Sequence, residues 1–173
     1  MKINYKKSLK FVTLLITALL IATVSAQTYR YMFIDGSITV SSSKLIWIKG
    51  TDAPSDATIV GGTVTMDLDV DNASRLIFTE CLFLKNVNAS GSFNIKINVT
   101  TAVSSSDFAV CKMHIYANSS GTWTLVDTLD LTLSGDNYTG TLSAGKYLRM
   151  TFEVEATVSE TGIKPFDIQV TYY

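Results

Sequence analysis

Apolar and polar positions alternate in short runs along most of this chain, and the period is two. Tyr29, Tyr31 and Phe33 alternate with Arg30 and Met32, which predicts a strand running on to Ile34. After Asp35-Gly36 the apolar phase moves to Ile38 and Val40. A glycine at a phase slip predicts a bulge or bend, so residues 27–40 read as a β-arm with a hinge at Gly36. Lys44 to Lys49 is a short apolar strand bounded by charges. Val64, Met66, Leu68 and Val70 alternate with Thr65, Asp67, Asp69 and Asp71, the pattern of a half-buried strand. Leu76 to Leu84 is apolar on both faces and reads as a central strand. Phe93, Ile95, Ile97 and Val99 alternate again. Phe108 to Ala117 and Thr122 to Leu133 flank Asn118-Ser119-Ser120-Gly121, a hairpin signal. Asn137 to Leu142 and Lys146 to Val158 flank Ser143-Ala144-Gly145, and Phe166, Ile168, Val170 and Tyr172 close the chain.

That pattern predicts eight to ten strands with turn signals between them. No stretch after the first residues sustains a 3.6 period. The expected fold is all-β, a jelly-roll-like β-sandwich over residues 41–173 preceded by the arm. Charged residues make up 17% of the chain, and Ser and Thr fill the polar positions, which suits strand faces. The net charge of −1 gives no reason to expect a nucleic acid or an anionic membrane surface as partner.

The first 26 residues follow different rules. Lys2, Lys6, Lys7 and Lys10 precede an uncharged, mostly apolar run from Phe11 to Val24, and Val24-Ser25-Ala26 supplies a small-residue cleavage pattern. This reads as a secretory signal peptide, with Gln27 the first mature residue. A membrane anchor would need about 20 apolar residues, more than this run supplies. A pilin-type cut would need a small residue after the lysines, and Lys7-Ser8-Leu9-Lys10 serves poorly. The mature protein is thus expected outside the cell, with no membrane segment.

Export bears on the chemistry. Cys81 and Cys111 would meet oxidising conditions, so one disulfide is the first expectation and two separate buried thiols the alternative. Five of the eight asparagines stand in Asn-X-Ser/Thr sequons: Asn72, Asn88, Asn98, Asn118 and Asn137. Four fall in predicted turns and Asn98 on a polar strand face, so all five are N-glycosylation candidates. Asp67, Asp69 and Asp71 put three carboxylates on one strand face. They are a weak Ca²⁺ candidate, because the glycine and distal glutamate of an EF-hand loop are missing. Catalysis finds little support. His114 is the sole histidine, no Gly-X-Ser-X-Gly elbow occurs, and the pair Glu153 and Glu155 lacks a wider constellation. No enzyme, cofactor or metal is expected.

The cleavable leader, the arm Tyr29 to Val40, the apolar strand ending at Asn72, Leu142-Ser143-Ala144-Gly145-Lys146-Tyr147 leading into Leu148 to Ala156, and Phe166 to Val170 together resemble the TasA/camelysin-like fibre proteins, closest to the archaeal bundling-pilus and thread subunits. The resemblance implies a helical homopolymer of identical subunits, built by donor-strand complementation. Tyr29, Tyr31, Met32, Phe33 and Ile34 would then complete the sheet of the next copy. Some bacterial relatives carry a peptidase label, which this chain lacks the histidines to support. The alternative is a monomeric cell-surface glycoprotein or glycan-binding sandwich. Its arm would fold into its own sheet, and Trp47 or Trp123 would serve as a binding platform.

Overall fold

The computed structural model describes residues 31–40, 44–60, 62–71, 74–157 and 162–173. The leader, Tyr29 and Asn72 lie outside the described residues. The described residues form twelve strands. β1 (Tyr31–Val40), β2 (Leu45–Lys49), β3 (Thr58–Val60) and β4 (Thr63–Asp71) come first. β5 (Leu76–Asn86), β6 (Phe93–Thr101), β7 (Phe108–Ser119) and β8 (Thr122–Asp130) follow. β9 (Asn137–Leu142), β10 (Tyr147–Ala156), β11 (Gly162–Ile163) and β12 (Phe166–Tyr172) complete the chain. The count exceeds the expected eight to ten because β3 and β11 are too short to leave a period in the sequence.

Two sheets face one another. One runs β3-β4-β1-β12-β6-β9 with β11 also paired to β1, and the other runs β2-β5-β10-β7-β8. Eight of these strands form a jelly roll: β4, β12, β6 and β9 lie in one layer, and β5, β10, β7 and β8 in the other. The winding follows from the period-2 patterns. In β4 the inward positions Val64, Met66, Leu68 and Val70 are almost completely buried, as are Ile95, Ile97 and Val99 in β6. Leu148, Met150, Phe152 and Val154 of β10 meet them from the opposite layer as part of one core. The turns use their glycines where φ is positive. Ser120 (φ 53°) and Gly121 (φ 88°) close the β7–β8 hairpin with two left-handed residues, the geometry that matches strand twist.

β1 does not belong to the eight. It lies between β4 and β12, antiparallel to the first from Tyr31↔Asp71 to Thr39↔Thr63, and parallel to the second from Gly36↔Phe166 to Val40↔Val170. β4 and β12 therefore run in opposite directions, the orientation in which they could pair directly if β1 were absent. β1 occupies a seat between the first and last strands of the roll.

Candidate functional site: the seat of the first strand

The seat holds β1 by both edges. On one side the ladder with β4 is unbroken over nine residue pairs. On the other, Met32↔Gly162 and Phe33↔Ile163 belong to the same parallel register as Gly36↔Phe166. The ladder lapses between them at Lys164-Pro165, where the proline has no N–H to give. Side chains add to the clamp. Ser37 donates a hydrogen bond to the Asp167 carboxylate, and the hydroxyls of Thr39 and Thr63 meet at 3.3 Å across the β1–β4 pair. Ile38 is buried in the core.

Gly36 has a role other than the one its sequence context suggested. The register runs through it without a shift, and its φ is not in the left-handed region. It is not a bulge. A Cβ built at Gly36 would overlap the ring of Phe166 at Cζ and Cε1. That ring is fully buried and packs against Phe152 of the facing sheet, with centroids 6.1 Å apart. The missing side chain of Gly36 is the space the Phe166 ring fills. Residues 41–44 join β1 to β2, which lies at the edge of the opposite sheet.

Of the other candidates, the three aspartates lie on β4, one wall of the seat, where Asp67, Asp69 and Asp71 pair with Asp35, Phe33 and Tyr31 of β1. Cys81 and Cys111 are free thiols and not a disulfide. They stand on β5 and β7, with β10 between. Cys111 pairs with Val154, whereas Leu82, beside Cys81, pairs with Met150, so the two are also offset along the sheet. Burial pushes both thiols up to about 12, and the Cys81 Sγ lies 3.7 Å from the Met66 Sδ. Asp67, Asp69 and Asp71 occupy the positions of β4 that alternate with its buried face. Among the described residues no group of three or more His, Cys, Asp or Glu side chains converges as a metal would require.

The sequons fall in different settings. Asn88 is half-buried after β5. Asn118 is half-buried and accepts a hydrogen bond from the Gly121 N–H through its Oδ1. Asn98 is half-buried within β6, and Asn137 is exposed at the start of the edge strand β9. Asn98 and Asn137 are direct cross-strand partners.

Sequence reasoning missed a polar relay on the outer face of the second sheet. His114 Nδ1 lies 2.9 Å from Thr128 Oγ1 and its Nε2 lies 2.9 Å from Glu153 Oε2, while Arg75 pairs with Glu153 Oε1. Burial raises the Glu153 carboxyl's pKa, but the bonds from His114 and Arg75 outweigh it and hold it below the usual carboxylate range. His114 and Glu153 alternate with the buried Met113, Ile115, Phe152 and Val154, which places both on the outward face. Nothing in one sequence set β7 beside β10. The same face carries Trp123, 5.8 Å from Phe83, with the Arg149 guanidinium over both Trp123 and Tyr116. Trp47 is buried in the core and cannot be a platform.

No known protein-family model matches this chain, and no curated protein is similar to it.

Proposed function

We propose that this protein is a secreted structural subunit of an extracellular filament, in which β1 of one copy occupies the seat between β4 and β12 of the next. The observation that carries the reading is the position of β1. It is the first described strand and wedges between the two strands that would otherwise close the jelly roll. Residues 41–44 alone tether it to the body. Withdrawing it would expose two strand edges and the Phe166 ring, an unpaired and apolar slot that another copy's arm can fill. Contacts within the seat are identical whether the arm comes from the same chain or a neighbour. The balance rests on residues 41–44 and on concentration, and a short hinge favours exchange. Exchange that runs head to tail gives an open polymer.

The pairing of β1 within its own chain favours a second reading, a monomeric cell-surface sandwich with Trp123 on an outer face near Arg149 and Tyr116. A tethered arm meets its own seat at an effective concentration of about millimolar, which a neighbour must match. Thr39→Cys with Thr63→Cys separates the two. These residues face each other across β1–β4 with hydroxyls 3.3 Å apart, so the thiols would oxidise to a disulfide. The filament reading expects a ladder of covalent multimers on a non-reducing gel of the exported protein. A single internally crosslinked monomer, with no filaments in negative stain, would overturn it.

A further inference from the structure

We propose that Asn137 is the acceptor of an N-linked glycan and that Asn98, its cross-strand partner, stays bare. Both asparagines head sequons, Asn98-Val99-Thr100 and Asn137-Tyr138-Thr139, and the fold sets them opposite one another in the β6–β9 ladder. The next rung is hydrogen-bonded, because the Val99 N–H donates to the Asp136 carbonyl at 2.9 Å. Rungs alternate, so Asn98 and Asn137 form a non-hydrogen-bonded pair, with Cα atoms about 4.5 Å apart and side chains at their nearest. Ile97 and Val99, on either side of Asn98, are fully buried, so Asn98 projects from the outer face, and Asn137, directly opposite it in the ladder, projects from the same face. A pyranose ring with its substituents is wider than that spacing.

The two sites are unequal. β6 is an inner strand, and Asn98 is flanked by Asn137 on β9 and by Gln169 on β12. The hydroxyl of its sequon, Thr100 Oγ1, donates to the Asp167 carbonyl at 3.1 Å. Asn137 begins the edge strand β9, directly after the turn that includes Gly135 and Asp136, and both Asn137 and Thr139 are exposed. Its Nδ2 donates to the Gly135 carbonyl at 3.0 Å on the surface, a bond the amide can keep with its second hydrogen. A transferase can approach β9 from its free edge, whereas β6 is paired on both sides. In the transfer, the Asn137 amide nitrogen attacks the anomeric carbon of a lipid-linked oligosaccharide. The new C–N bond forms as the C–O bond to the lipid phosphate breaks, and the amide gives up one proton.

The test is glycopeptide and intact-mass analysis of the full chain from its native source, with Asn98→Gln and Asn137→Gln. The expected result is sugar on Asn137 and none on Asn98. Asn98→Gln then leaves the glycan count unchanged, and Asn137→Gln lowers it by one or moves the glycan to Asn98. Sugar on both asparagines of one molecule, sugar on Asn98 alone in the natural chain, or a chain bare at both sites would overturn the assignment.

Discussion

Changing Gly36 to Ala tests what the seat requires of the strand that fills it. The new Cβ would overlap the Phe166 ring, which cannot swing away freely because it is fully buried against Phe152. Overpacking of this kind costs about 1–3 kcal/mol. Replacing glycine within a strand returns about 0.5–1 kcal/mol by lowering the entropy of the unfolded chain. The net expectation is a loss of up to about 2.5 kcal/mol, centred near ~1, and a midpoint lower by roughly 2–4 °C for each kcal/mol lost. Thermal and urea unfolding followed by circular dichroism would measure it. The diagnostic is the double-mutant cycle with Phe166→Leu, which removes the ring. Steric conflict predicts that the second change recovers most of the loss, a coupling of about 1 kcal/mol. Additive effects would show that Gly36 serves the backbone and not the ring. A stabilised Gly36→Ala would refute the notch altogether.

Two further predictions concern groups that the fold buries. The thiols of Cys81 and Cys111, raised to about 12 by burial, should resist alkylation at neutral pH in the folded protein and react fully in denaturant; a Cys81–Cys111 disulfide peptide in a non-reducing digest would contradict the strand order itself. Burial pushes the Glu153 carboxyl up, but the bonds from His114 and Arg75 outweigh it and hold the carboxyl below the usual carboxylate range, so the stability it contributes is complete above its unfolded pKa and is lost as the pH falls through the folded pKa. Glu153→Gln should therefore cost about 1–3 kcal/mol near neutrality, by removing the negative charge and replacing one of the two acceptor oxygens that His114 and Arg75 share with an NH2 group, and should flatten the acid limb of a urea-midpoint titration. An acid limb of unchanged slope in the variant would remove Glu153 from that role.

Much of the architecture was legible because a sandwich writes its inside and outside into the sequence at period two. β4, β6 and β12 could be read position by position, and their inward residues are the buried ones. β10 alternates as well, with Leu148, Met150, Phe152 and Val154 between Arg149, Thr151, Glu153 and Glu155, but its outward positions are also largely covered because it lies between β5 and β7. What the pattern could not carry was adjacency. Period two says which way a residue faces, not which strand lies beside it. Cys81 and Cys111 therefore looked like a bridge, although β10 separates them, and His114 looked solitary, although β10 delivers Glu153 to it.

Gly36 shows the same limit most sharply. From sequence, glycine at a phase slip has a local explanation, a bend. The actual cause is 130 residues away, in an aromatic ring on a strand that runs parallel to its own. Parallel neighbours cannot be joined by a hairpin, so this contact has no short-range signature. β1 and β12 lie at opposite ends of the described chain, and the seat exists only when both ends meet on one sheet. A groove assembled from the last strand and filled by the first is complete only after the rest of the roll has folded. On the filament proposal, a neighbouring copy's arm would compete for the slot in the interval before the chain's own arm fills it. Under that proposal, filaments seeded by newly folded chains, but not by chains already closed on their own arm, would be the kinetic signature of the competition. Dilution before folding is complete should shift the product toward closed monomers, whereas dilution afterwards should leave the product unchanged.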